Sequence, residues 1–285
     1  MIIKVDGDAA TVKLKPGKAC YLYSMGDIGF SGNRHCSESF DDDLAYLAAK
    51  KKEGHAVRIF STGDNLAATS PSERAALISA KGGAGLYKDT LEKMDQSVIS
   101  DCKAFADKFK PFTGDILFVE SGHHFYQFSR WSEWYGTNSD QYLAKLLKCT
   151  YGGMVAYVDL KFPEQKTTIR LLAYHGQGNG QLPGSGINRR YKAHGAFLDC
   201  DFVFAGHDNN KACAVTSGFR KLGDGSPALC EQRTVCIGSH ELAYKVGSNA
   251  DDYVEQAVMR PTPLAGNTVT LFEEWRGKVR PRCLI

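Results

Sequence analysis

Five short segments of this 285-residue chain end in glycine-containing turns that carry carboxylate, imidazole or amide groups. The turns are Gly26-Asp27, Gly63-Asp64-Asn65, Gly122-His123-His124, His175-Gly176 and Gly206-His207-Asp208-Asn209. A carboxylate can bridge two cations, and a neutral imidazole nitrogen suits Zn, Fe, Mn or Ni. Brought together, these groups make a divalent-metal site. Such a site suits phosphoester hydrolysis, because the cation neutralises phosphate oxygens, acidifies a bound water and holds nucleophile and leaving group in line. A single Gly-Asp after a strand is more often an ordinary turn, so the recurrence carries the reading. Of the eight histidines, His123, His124, His175 and His207 lie in these turns, whereas His35, His55, His194 and His240 fall in segments without the pattern.

Each turn is preceded by a short apolar run rich in Val, Ile, Phe and Tyr, which reads as a buried strand: residues 19–25, 56–62, 115–120, 167–174 and 202–205. Between the first two, Asp41 to Lys52 opens acidic and closes with lysines, as a helix dipole favours. Further helices are expected from Ser70-Pro71, from about 87 to 109 and from about 140 to 148. Strands alternating with helices early in the chain, and strands with fewer helices later, indicate α/β or layered α+β with mixed sheets. No linker or repeat interrupts residues 1–285, so one domain is expected. In open α/β sheets ligand sites gather at the carboxyl ends of strands, where these turns lie.

In order and approximate spacing, the five turns resemble the blocks of the calcineurin-like metallophosphoesterases: D-x-H, G-D, G-N-H-[DE], a lone H, and G-H-x-H. The segment from Ile237 to Phe272, with Gly238-Ser-His-Glu and Pro261-Thr-Pro, is similar to the closing part of phage and prophage members. The resemblance implies a four-layer α/β/β/α sandwich with mixed β-sheets. It makes Asp27 the first-block aspartate, Asp64 the aspartate shared by two metals, His124 the general acid, and His175 and His207 ligands. Three positions depart from the pattern: Gly29 stands for a histidine, His123 for an asparagine and Asn209 for a histidine. Carried over, one metal position keeps Asp27, Asp64 and Asn209, a weak all-oxygen set. The other takes Asp64, His123, His175 and His207, a tight four-coordinate set that favours Zn or Fe more than the family's own pattern does, with Mn and Ni also candidates. The implied activity is hydrolysis of a phosphodiester or phosphomonoester, with a nucleotide or nucleic acid as candidate substrate. The rival readings are a catalytically impaired binding or scaffold protein and a mononuclear zinc hydrolase acting on another bond. His35 is a further candidate for the imidazole that Gly29 lacks.

A net charge of +3 allows an anionic ligand but lacks the dense basic stripe of a dedicated nucleic-acid binder. Nine cysteines without a C-x-x-C pair argue against a disulfide framework or zinc ribbon and point to a reducing cytoplasm, in a phage host if the resemblance extends to origin. The charged N-terminus does not read as a signal peptide, and no apolar run is long enough to cross a membrane. Trp131, Trp134 and Tyr135 could stack a nucleobase, and the loop from Gln177 to Arg190 could bring Arg189 or Arg190 to a phosphate.

Overall fold

Two six-stranded mixed sheets face each other in the computed structural model, which describes residues 3–82, 86–176, 187, 199–207, 209–221, 225–242 and 266–284. The first sheet runs β12 (Lys278–Leu284), β11 (Thr268–Trp275), β2 (Ala19–Met25), β3 (Ala56–Ser61), β4 (Ile116–Glu120) and β5 (Thr150–Gly153). Strands β2 to β5 are parallel neighbours, and β11 and β12 add antiparallel. The second sheet runs β1 (Ile3–Val5), β6 (Val155–Phe162), β7 (Thr167–Tyr174), β8 (Phe202–Ala205), β10 (Pro227–Cys236) and β9 (Ala212–Lys221). Within it β7, β8 and β10 are parallel to one another.

The strand period of two sorts side chains between two cores. Cys20, Leu22, Phe60, Leu117 and Phe118 point between the sheets and meet Val158, Leu160, Leu171, Phe202 and Phe204 of the second sheet. Phe60 stacks on Phe118 and meets Phe204 edge-on, both with ring centroids 5.0 Å apart; contacts of this kind add about 0.5–1.5 kcal/mol each beyond area burial. The alternate residues Tyr21, Tyr23, Met25, Val57, Ile59, Ile116 and Val119 face outward onto the helices.

Four helices lie among the described residues: α1 (Ser37–Lys52), α2 (Pro71–Gly82), α3 (Lys88–Lys108) and α4 (Ser139–Leu147). Phe40, Leu44 and Leu47 of α1, Ile99, Cys102 and Phe105 of α3, and Leu143 and Leu147 of α4 cover the first sheet. α1 begins at Ser37, a full turn before the acidic run that marks it in the sequence. Asn138 closes the start of α4 with a capping box to Gln141, which satisfies two otherwise orphaned N–H groups. The outer face of the second sheet carries a small cluster of Leu172, Cys200 and Val203. Among the described residues no helix packs on this face, so the fourth layer that the resemblance implies is not seen in them. No helix among the described residues is long and apolar enough to cross a membrane.

Candidate metal centre

Strands β2, β3 and β4 of one sheet and β7, β8 and β10 of the other end at a common edge, and their following turns interlock there. His207 N donates to Asp27 Oδ2 at 2.7 Å, and His175 Nδ1 lies 3.0 Å from the Thr62 carbonyl, each contact crossing from one sheet to the other. The interlocking requires turns without side chains at close approaches. A Cβ on Gly63, whose φ is +102°, would lie 2.3 Å from Gly122 N, and one on Gly122 would lie 2.0 Å from Asp64 Oδ1. Only glycine fits at these two positions. Of the eight described non-glycine residues with positive φ, four are candidate ligands: Asp27, Asp64, His207 and Asn209. Asp and Asn tolerate this region, but His207 at +74° is held there by its surroundings.

Three imidazoles converge, and His175 links them to Asp64. His207 Nδ1 is 3.2 Å from His123 Nδ1 and 3.3 Å from His175 Nε2, and His175 Nε2 is 3.0 Å from Asp64 Oδ2. The ligating atoms of His123, His175 and His207 all lie within 4.8 Å of one another, as do those of Asp27, Asp64, His175 and His207. Two donors about 2.0–2.1 Å from a tetrahedral zinc ion stand about 3.3–3.4 Å apart; the 3.2 and 3.3 Å separations among the imidazoles fit that spacing, and the two groups share His175 and His207 while His123 and Asp64 fall in different ones. The Thr62 carbonyl can only accept, so His175 Nδ1 carries a proton and Nε2 is the atom turned to the site.

Charge follows geometry. Burial pushes His175 down, but its hydrogen bond to Asp64, with the charges of Asp64 and Asp27, raises it to about 9. Burial pushes Asp64 up, yet His175 and His124 outweigh this and hold it below the usual carboxylate range. Burial raises Asp27 to about 7, with Asp64 and Glu241 adding to the rise against the pull of His175 and the His207 amide. His123 is lowered, chiefly by burial and then by His175, so its ring is kept neutral and able to donate a lone pair.

A buried polar layer supports the turns. Ser61 Oγ donates to Asn65 Oδ1 and accepts from Gly63 N, and Asn65 Nδ2 donates to Asp140 Oδ1 at 3.1 Å. Burial raises Asp140 to about 7. Arg74 Nη1 donates to the carbonyls of His123, Thr69 and Phe125, with its guanidinium carbon 3.9 Å from the Phe125 ring centroid, which fixes the turn bearing His123 and His124. The His124 side chain is exposed, while its backbone N–H donates to Asp64 Oδ1 at 2.8 Å.

The structure therefore brings Asp27, Asp64, His123, His175 and His207 into two groups that share His175 and His207, with the exposed His124 on the rim. Asn209 Oδ1 is buried with no hydrogen-bond partner among the described residues. His35 is not among the convergent donors: its Nδ1 bonds the Ile28 carbonyl at 2.9 Å and its ring packs against Phe30 and Phe40. Trp134 packs against Tyr142 with centroids 4.5 Å apart, while Trp131 stays 45% exposed beneath Lys88 and Arg130. Asp208 and the Gln177–Arg190 loop with Arg189 and Arg190, apart from Ile187, lie outside the described residues. A separate cleft of about 540 Å³ opens at the far ends of β2 and β11, lined by Lys18, His55, Trp275 and Arg280 among others; the convergent donors take no part in it.

One residue at this edge was not singled out by the sequence patterns. Glu241, just after β10, places Oε1 where it would be 2.2 Å from a Cβ on Gly29. The sequence quoted it only as the last residue of Gly238-Ser-His-Glu, without a role, three positions beyond the glycine that follows a sixth strand end.

The sequence matches no protein-family model, and no curated protein is significantly similar to it. Among solved structures the chain is similar to Vps29 from Entamoeba histolytica complexed with zinc, at 13% identity and a TM-score of 0.38, over 93% of this chain and 98% of that one. It is similar to Vps29 from Chaetomium thermophilum at 10% identity and 0.38, over 93% and 94%. A third is a Streptococcus pneumoniae protein described as a predicted phosphoesterase, at 9% identity and 0.34, over 93% and 97%. What the site does follows from its own residues.

Proposed function

We propose that this protein is a metal-dependent phosphoesterase of the calcineurin-like metallophosphoesterase type. The observation that carries the reading is the convergence of His123, His175 and His207, with donor atoms 3.2 and 3.3 Å apart, and the 3.0 Å contact of His175 Nε2 with Asp64 Oδ2. Asp64, His123, His175 and His207 would hold one cation tightly, with Zn or Fe favoured by three imidazoles. Asp27 and Asn209, with Asp64 shared, would hold a second cation more weakly through oxygen alone. A divalent cation bound there supplies neutralisation of phosphate oxygens and an acidified water.

The chain's own groups do the rest. Thr62 orients His175 through Nδ1, and the His124 N–H orients Asp64. Arg74 holds the His123–His124 turn in place through three carbonyls. His124, exposed at the rim, is placed to give a proton to the leaving oxygen. A nucleotide or nucleic-acid phosphodiester is the favoured substrate class, supported by Trp131, which is exposed and flanked by Arg130 and Lys88 on the segment leaving His124.

The test is hydrolysis of bis-p-nitrophenyl phosphate and p-nitrophenyl phosphate by demetallated protein reloaded separately with Mn, Zn, Fe, Ni or Mg, beside an Asp64→Ala control. Turnover that depends on the cation and vanishes in the control is expected. The second reading, a non-catalytic binding module, is favoured by one observation, that Gly29 offers no donor at the Asp27 turn. Cation binding without turnover under any of these conditions would select it.

A further inference from the structure

The order of one sheet ends in β9 and that of the other in β12, on the side of the sandwich away from β1 and β5. Each of these outer strands turns one cysteine inward. Cys213, opposite Val235 of β10, and Cys283, opposite Thr270 of β11, both pack against the core between the sheets. Their thiols meet there: Cys213 donates a hydrogen bond to Cys283 Sγ, and Thr270 Oγ1 lies 3.8 Å from the same sulfur. Both cysteines are free thiols that keep partial contact with solvent, whereas Cys20, Cys102, Cys200 and Cys236 are buried.

The surroundings make the two sulfurs unequal. The hydrogen bond from Cys213, that of Thr270 and the charge of Arg233 lower Cys283 from 9.0 to about 7 against the effect of burial. Cys213 is raised, first by the shared hydrogen bond and then by burial. Arg233 stands two residues before Val235 on β10, so by the strand period its side chain shares the face of Val235 and Cys213. A thiolate is the sulfur species that reacts with oxidants, which makes Cys283 the attacking group and Cys213 its resolving partner.

We propose that Cys213 and Cys283 are a hydroperoxide-sensitive pair that closes to a reversible disulfide between the outer strands of the two sheets. The Cys283 thiolate attacks one oxygen of hydrogen peroxide and the O–O bond breaks. Cys283 becomes a sulfenic acid, and the departing hydroxide takes up the proton that the thiol lost on ionising. Cys213 then attacks the Cys283 sulfur; the S–O bond breaks, and the displaced hydroxyl leaves with the Cys213 proton as a second water. Two thiols lose two electrons and one peroxide gains them. The bond fastens segments that lead from the candidate metal centre: Cys213 lies six residues after His207, and Thr270 lies three after Asn267, whose Nδ2 donates to the carbonyls of Gly26 and Gly238. The inference stands whether or not the protein is a phosphoesterase.

The experiment treats folded full-length protein with a small molar excess of hydrogen peroxide near neutral pH, blocks the remaining thiols with iodoacetamide and maps non-reduced tryptic peptides by mass spectrometry. Peptide 212–220 joined to 283–285, two hydrogens lighter than the pair, is expected, and dithiothreitol should separate them. The bond closes a loop of about 70 residues in the unfolded chain, so oxidation should raise the thermal midpoint by about 5 °C or more, reversibly. Cys283→Ser should abolish both the joined peptide and the shift. Cys213→Ser should leave a sulfenic acid at Cys283 that dimedone traps. Cys230→Ser should behave as wild type. Wild type that keeps both thiols after treatment, pairs either with another cysteine, forms the bond only when unfolded in urea, or shows no rise in midpoint once it has formed would overturn the proposal.

Discussion

Asp64 Oδ2 and His175 Nε2 form a buried ion pair at 3.0 Å, and the atoms that make it are the ones a cation would use. The pair ties the metal site to pH. His175 is raised from 6.5 to about 9, so its contribution to the stability of the ion-free protein is fully present below 6.5 and is lost as pH rises through about 9. Asp64 is depressed below 3.8, so its contribution is present above 3.8 and is lost as pH falls further. Asp27, raised from 3.8 to about 7, favours its neutral form, and that contribution is lost as pH rises from 3.8 through 7.

The first prediction is that the melting temperature of demetallated protein falls between pH 6.5 and 9 while Zn²⁺ affinity rises across the same window, because the cation must displace the His175 proton. Calorimetry in buffers of different ionisation enthalpy would show release of about one proton per Zn²⁺ near pH 7.5. Zn²⁺ binding without proton release would contradict the assignment of His175 Nε2 as a donor.

Gly122→Ala tests the interlocked turns. The added Cβ would meet Asp64 Oδ1 at 2.0 Å and Asp64 N at 2.4 Å, and both belong to a turn held from below by Ser61. Overpacking of this kind costs about 1–3 kcal/mol. Urea unfolding should register that loss, and Zn²⁺ affinity should drop with it. Gly218→Ala on β9, where nothing lies within 4 Å, is the matched control and should stay within about 0.5 kcal/mol of wild type.

Three of the five strands that carry the candidate donors were legible as continuous buried runs, β2, β4 and β8 being buried at every residue, and β3 and β7 still showed through their apolar content although residues of intermediate exposure break the run. Strands β6, β10 and β12 were not, since they alternate or face water, as in the half-exposed KVRPRCL of β12. Their apolar signal is diluted by the exposed residues between. The five donor turns were legible from residue type and spacing. Glu241 was not, because its relation to Gly29 spans 212 positions and exists only once β10 lies parallel to β8. The packing of His35 on Phe30 and Phe40 was equally invisible, since its sequence neighbours are polar.

His124 is the side chain whose role can be separated from metal holding. Its N–H serves Asp64 through the backbone, which a substitution leaves intact, while its ring is exposed at the rim. His124→Ala should therefore retain Zn²⁺ and lower kcat by about 10²–10⁴-fold on substrates with an alkyl leaving group. The loss should be smaller with p-nitrophenolate, which leaves without a proton. An equal loss on both substrate types would argue against proton donation by His124.

Glu120 gives the last prediction. It ends β4, is wholly buried, and its Oε1 accepts from Ala156 N at 2.7 Å, which joins the two sheets two residues before the Gly122 turn of the candidate metal centre. Burial raises it well above 4.5 despite that hydrogen bond and the charge of His175, so the carboxyl is held neutral. The sign follows: the folded state favours the protonated form, and the stability it contributes is present below 4.5 and declines as pH rises above it. Linkage sets the steepest decline from one such group at about 1.4 kcal/mol per pH unit. Glu120→Gln keeps the oxygen that accepts from Ala156 and removes the titration. Stability measured by urea unfolding of demetallated protein from pH 5 to 9 should therefore fall less steeply in Glu120→Gln than in wild type. Oε2 has no partner among the described residues, so the variant's amide N–H groups add a pH-independent cost of about 1–3 kcal/mol. That cost displaces the curve without tilting it. Identical slopes in the two proteins would mean that Glu120 is ionised in the folded state, and the wholly buried carboxylate would then require a cationic partner at the junction of the sheets.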